Sequence, residues 1–134
     1  MRITFVTLTY PPEPAEQIHD LAKYLVRNKH TVNIITCLPS YPYGKIYKKF
    51  RNKIFDVKYV DGVKIIRVLV FPSQSPRIIH RMLYYMTFAI STIIPVFFTK
   101  TDVFIAYHPP PSVILQIILK NFFKKTKFVY WIND

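Results

Sequence analysis

Glycine is nearly missing from this chain. Two residues in 134 are glycine, where ordinary usage near ~7% would supply about nine. They stand at Gly44 and Gly62, and neither follows the first apolar run. A mechanism that needs a glycine-rich phosphate loop is therefore disfavoured. Cysteine is equally scarce, with Cys37 alone, which rules out an internal disulfide and a thiolate zinc site and fits a reducing cytosolic face. Cys37 follows the apolar run Val32 to Thr36, so a buried, inert thiol is expected. The four histidines, His19, His30, His80 and His108, show no ligand spacing, and no metal site is expected. Acidic side chains number seven against nineteen Lys plus Arg, a formal charge of +12. That excess excludes an acidic tail and a neutral, self-associating surface, and it points to an anionic partner.

What the chain has is apolar bulk, 51% hydrophobic and 16% aromatic. Disorder is excluded at that level, and the length suits one domain with a real core. Ile3 to Leu8 reads as a buried strand, and the N-terminus MRITFVTL reads as that strand rather than as a secretory signal. The loop Tyr10-Pro11-Pro12-Glu13-Pro14 stops it. Ile18, Leu21, Ala22, Leu25 and Val26 then recur at helical spacing with polar residues on the other faces. Glu13 and Glu16 lie near the positive end of that helix, and Arg27, Lys29 and His30 near the negative end. Thr31 to Thr36 gives a second buried strand. Strand, helix, strand in about 35 residues is a βαβ unit with a parallel sheet. The fold expected is α/β, a Rossmann-like parallel sheet with flanking helices.

Leu38 to Phe55 reads as a long loop bearing Tyr41, Tyr43 and Tyr47 among Lys45, Lys48, Lys49, Arg51 and Lys53. Val57 to Val60 and Val63 to Val70 read as a hairpin on an Asp61-Gly62 type I′ turn, with Lys58, Lys64 and Arg67 expected along its exposed side. Met82 to Phe98 carries no charge, and as a helix it would span about 25 Å against a hydrocarbon core of about 30 Å. Pro95 is expected to interrupt it. A buried or membrane-surface helix is the reading, rather than a spanning one. Asp102 to Tyr107 reads as a strand, Ser112 to Phe123 as an apolar helix capped by Ser112, and Lys127 to Ile132 as a last strand.

In an open parallel sheet, ligands sit outside the carboxyl ends of the strands. Those ends bring Glu13, His108 and Asp134 to one edge. Glu13 reads either as a catalytic carboxylate or as a partner of the helix dipole. His108, just past a strand, is placed to act as a base or to bind a phosphate or hydroxyl. The tyrosine and lysine loop reads either as a stacking and phosphate-holding surface or as a solvated loop. No recognition helix or paired aromatic strands are present, so nucleic acid is not the expected partner. Lys45, Lys48, Lys49, Arg51, Lys53, Arg77 and Arg81 are expected to face an anionic membrane.

Several stretches in order resemble family 4 glycosyltransferases, especially the bacterial enzymes of colanic acid, capsule and O-antigen synthesis. They are Tyr10 to Pro14, Arg27-Asn28-Lys29-His30 with the strand TVNIIT, Leu38 to Lys45, Asp61 to Val68, Asp102 with Pro109-Pro110, and Tyr130 to Asp134. The resemblance covers nearly the whole chain. It implies a GT-B enzyme of two Rossmann-like domains, with residues 1–134 most of the first, acceptor-binding one. It implies a retaining, metal-independent transfer from a nucleotide sugar to a lipid-linked acceptor, on the inner face of the cell membrane. Pro12, Glu13, Pro14 and Ala15 would then lie near the donor phosphates and acceptor, Tyr41 and Tyr43 near the acceptor, and His108 near the reacting sugar, with Asp134 also at the site.

Three departures accompany the likeness. Ala15 and Glu16 stand where many members carry a glycine pair, and Lys29 stands where a glycine usually precedes the histidine, at roughly 1–2 kcal/mol if left-handed. The chain stops at Asp134, inside the family's Asp-Leu-Trp-Pro region, so the donor-binding domain is expected in a partner subunit or a longer chain. The isolated chain is expected to be inactive. The alternative class is a non-catalytic basic membrane-surface module that presents a lipid-linked acceptor to a partner.

Overall fold

The computed structural model describes residues 1–41, 43–72, 76–107, 116, 118–122 and 124–131. Their elements run in the order β1 (Arg2–Thr7), α1 (Glu16–Arg27), β2 (Thr31–Cys37), a 3-10 turn (Lys48–Phe50), β3 (Phe55–Val60), β4 (Val63–Val68), α2 (Ile78–Ser91), α3 (Ile93–Phe98), β5 (Val103–Tyr107) and β6 (Lys127–Trp131). Residues 118–122 are helical as well. The six strands form one sheet in the order β3-β4-β2-β1-β5-β6. All pairings are parallel except the β3–β4 hairpin. The protein is thus α/β, a mostly parallel sheet with flanking helices, compatible with a Rossmann-like fold.

Alternation along the strands sorts the core into two layers. Ile3 and Phe5 of β1, Val32 and Ile34 of β2, and Val63 and Ile65 of β4 pack with Ile18 and Ala22 of α1. Val6, Ile35, Ile66, Val68, Phe104 and Ala106 pack instead with Tyr84 and Phe88 of α2 and Val96 of α3. Leu21, Leu25 and Val26 complete the α1 stripe that the helical spacing predicts. Cys37 lies in the second layer, where its thiol donates to Leu8 O at 2.8 Å. Burial pushes that thiol up to about 12, which keeps it protonated and inert.

Three sequence expectations need correction. The uncharged stretch is two helices rather than one, starting at Ile78 and breaking at Thr92. A continuous helix would leave the carbonyl four residues before Pro95, that of Ser91, without its donor; α3 instead restarts so that Pro95 falls in a first turn. The hairpin forms on the expected turn but its outer ends differ, since β3 begins at Phe55 rather than Val57 and β4 ends at Val68 rather than Val70. Arg67 does not share an exposed side with Lys58 and Lys64: it is 4% exposed and pairs across the hairpin with Asp56. Ser112, the expected cap of the later helix, lies outside the described residues, as does Pro109-Pro110.

Candidate functional site

The carboxyl ends of β1, β2 and β5 share one edge of the sheet, because all three run parallel. Between β1 and α1 the chain passes through Thr9 to Ala15, with a cis Pro11–Pro12 peptide. A cavity of about 510 Å³ opens there, lined by Thr7, Leu8 and Thr9, by Pro14 and Ala15, by Glu16 to Ile18 of α1, and by Tyr107 at the end of β5. Ala15 is the N-cap of α1 and offers no side-chain acceptor. First-turn amides of the helix therefore face the cavity mouth without a side-chain cap, which suits an anionic group. Glu16, itself in that turn, places a carboxylate at the same mouth.

Buried ionic contacts hold this loop from two sides. Arg67 Nη2 donates to Pro11 O at 2.7 Å, and its Nη1 reaches Asp56 Oδ2 at 3.5 Å. The same guanidinium lies 5.3 Å from the centre of the Phe50 ring. Desolvation lowers the Arg67 pKa, opposed by Asp56. At Asp56 burial works upward, but the hydrogen bond and charge of Lys53, with Lys58 and Arg67, outweigh it and hold the carboxyl below its ordinary value. From the other side, Glu13 Oε2 accepts from Ser40 N at 3.1 Å and Tyr41 N at 2.7 Å. Glu13 is 1% exposed. Desolvation raises its pKa, only partly countered by the amides of Tyr41 and Ser40 and by Arg67.

Glu13 thus clamps the first loop to the loop after β2, and its partners are loop amides, not the first turn of α1. That second loop folds on itself through Gly44 N to Ser40 O at 3.0 Å and Tyr47 OH to Tyr41 O at 2.6 Å. Gly44 takes φ 67°, a turn that favours glycine. Tyr43, Lys45, Ile46, Tyr47, Lys48, Lys49 and Arg51 enclose a second hollow of about 430 Å³. Tyr43 and Tyr47 stand 5.9 Å apart, ring to ring.

Of the residues singled out from sequence, Pro14 and Ala15 line the cavity, Glu13 lies beneath it, and Pro12 is exposed beside it. Glu13 and Tyr41 meet directly. Tyr43 joins Lys45, Lys48, Lys49 and Arg51 in the second hollow. Lys53 turns instead to Asp56 at 2.8 Å, while Arg81 is exposed on α2 and Arg77 is its N-cap. His108 and Asp134 lie outside the described residues.

Two groups escaped sequence reasoning. Arg67 with Asp56 was within reach of it: an Asp61-Gly62 two-residue turn sets 56 opposite 67, an acid facing a base. The other is a chain of contacts from buried Tyr10, whose hydroxyl meets His19 Nδ1, to His19 Nε2 and Asp61 Oδ2 at 3.0 Å. It ties the loop, α1 and the hairpin turn together. No local pattern announces it, since its members are 9 and 42 residues apart. No protein-family model matches the chain, and no curated protein matches it.

Proposed function

We propose that this chain is the N-terminal, acceptor-side domain of a family 4 glycosyltransferase of the GT-B fold. It would take part in transferring a sugar from a nucleotide sugar to a lipid-linked acceptor in cell-surface polysaccharide synthesis. One observation carries the reading: at the carboxyl edge of a parallel sheet, a cavity at an uncapped helix N-terminus lies beside loops clamped by Glu13 and Arg67. The first-turn amides of α1 suit a phosphate oxygen. Tyr43 and Tyr47 offer ring faces to a sugar, with Lys45, Lys48, Lys49 and Arg51 for its linked phosphate. The same cations draw the domain to the anionic inner face of the cell membrane as a peripheral protein. Retaining transfer in a GT-B enzyme draws its donor contacts from a second domain as well. The reading requires no metal.

The second reading, a non-catalytic module presenting a lipid-linked acceptor, is favoured by Ala15 and Glu16 at the cavity mouth, where a carboxylate repels a donor phosphate. Amide NMR titration with a nucleoside diphosphate and with a short-chain prenyl-diphosphate sugar separates the two. The enzyme reading expects shifts at Ala15 to Ile18 with the nucleotide and at Tyr43 to Arg51 with the prenyl sugar. Glu16→Gln should tighten the nucleotide about two- to fivefold by removing a charge from the helix mouth. Silence at the α1 mouth with response at the hollow supports the module, and silence at both ends the proposal.

A further inference from the structure

Strand β3 is an edge strand, and its two faces are treated differently. On the α1 side, Asp56 pairs with Arg67, and Phe50 closes the surface with Lys53, Lys58 and Arg67 at 5.2–5.6 Å from its ring. On the other side, the antiparallel register sets Phe55 opposite Val68, Val57 opposite Ile66, and Tyr59 opposite Lys64. The β4 half of that strip is buried, Ile66 and Val68 packing with Tyr84, Phe88 and Val96, whereas the β3 half is open, with Phe55, Val57 and Tyr59 54%, 40% and 71% exposed. Pro95 and Val96 of α3 pack inward, whereas Ile94 and Phe98 are 68% and 80% exposed.

Between α3 and this strip run two hollows of about 580 and 300 Å³. Phe55, Ile94 and Pro95 line both, so they form one groove. Six residues of β3 make it about 20 Å long, against about 15 Å for one leaflet's share of a hydrocarbon core. Phe55, Tyr59, Ile66, Ile94, Pro95 and Phe98 give it apolar walls, while its other end is polar, with Thr31, Asn33 and Thr99 beside Lys64, Lys100 and Arg2, the last paired to Asp102. Among the described residues, no carboxylate lines either hollow. The sequence between Asp61 and Asp102 contains five Lys or Arg and no acid at all. Beside the groove, Ile78, Met82, Met86 and Ile90 are exposed at four-residue spacing along α2, an apolar stripe on its outer side. Stripe and groove lie on separate elements, one along α2 and the other between β3 and α3. They suit a bilayer surface, and the surrounding charge suits anionic lipid.

We propose that the groove between β3 and α3 binds one acyl chain of an anionic phospholipid, drawn from a bilayer on which the outer face of α2 rests, with the lipid phosphate at Lys64 and Lys100. The site rests on the membrane reading above but not on the sugar-transfer reading. It lies along the sheet face away from α1, distinct from the cavity at the carboxyl edge.

The test uses the full chain with vesicles of phosphatidylcholine and phosphatidylglycerol, some with brominated acyl chains. Wild type should keep most of its binding as salt rises through a range that screens surface charge. Met86→Glu with Ile90→Glu, at exposed positions, should weaken it about tenfold or more by removing apolar insertion. Phe98→Trp should show emission quenched by brominated chains beyond the wild-type background from Trp131. Lys64→Glu with Lys100→Glu should remove the preference for phosphatidylglycerol yet leave quenching in place. Circular dichroism confirms that each variant is folded. Binding abolished by salt and by Lys48→Glu, Lys49→Glu and Arg51→Glu, but untouched by the α2 changes, would overturn the groove and leave the membrane reading standing. No vesicle binding under any condition overturns both. A dimer that Ile90→Glu dissociates, without vesicle binding, would assign the face to a second copy.

Discussion

Glu13 and Asp102 respond to folding with opposite sign. Asp102 is held at about 2 by the side-chain and backbone hydrogen bonds of Arg2, so its contribution is complete above the usual carboxylate range and fades as pH falls toward 2. Burial raises Glu13 instead. Above its unfolded value the unfolded chain ionises while the folded chain keeps the proton, so stability declines as pH rises until the raised folded value is passed. Urea unfolding from pH 4 to 8 should show that decline in wild type and lose it in Glu13→Gln, while Asp102→Asn should change only the acid limb. Parallel curves for wild type and Glu13→Gln would show that Glu13 is not the group responsible. Sequence placed Glu13 at the sheet edge because a proline loop after a first strand must end there. It missed the acceptor role because Ser40 and Tyr41 reach Glu13 only through the path of the second loop. Arg67 was misplaced for a simpler reason: a cation in a hairpin reads as exposed unless its cross-strand partner is worked out from the turn.

At the level of elements, α1 ends in a Schellman turn built around a residue poorly suited to it. His30 N bonds Leu25 O at 3.1 Å and Lys29 N bonds Val26 O at 3.0 Å, with Lys29 at φ 67°. A β-carbon is disfavoured in that conformation, and glycine is not. Lys29→Gly should therefore stabilise the protein by about 1 kcal/mol, the strain relieved exceeding the added freedom of the unfolded chain. A lower urea midpoint would instead mean that the Lys29 side chain contributes more than its backbone loses. This turn was legible, since the helix stripe stops at Val26 and a strand begins at Thr31. The β-α-β opening and the Asp-Gly hairpin were legible for the same reason: periodicity and turn chemistry are local. The break at Thr92 was not. Pro95 signalled an interruption, but its position follows from the carbonyl that a proline leaves unserved a turn earlier. Nor did composition reveal that only one side of the uncharged stretch would be buried, because both sides of α2 are apolar.

For the molecule as a whole, charge is the dominant imbalance. With nineteen Lys and Arg and seven acids, pairing cannot neutralise the surface. The described ion pairs involve Asp20, Asp56, Asp61 and Asp102, most of them at exposed positions where each is worth about 0–1 kcal/mol. Repulsion among the remaining cations acts against the compact state and over longer distances. Raising ionic strength shortens the screening length from about 30 Å at 0.01 M to about 8 Å at 0.15 M. That weakens a few attractive pairs and many repulsive ones, so the second effect should prevail. The melting temperature should climb with sodium chloride over this range by roughly 2–6 °C, corresponding to about 1 kcal/mol in a domain of this size. Anionic vesicles at low salt should reproduce the rise, because they neutralise the same cations from outside. A melting temperature that falls with salt would mean that paired charges, Asp56 with Lys53 and Arg67 foremost, outweigh the excess.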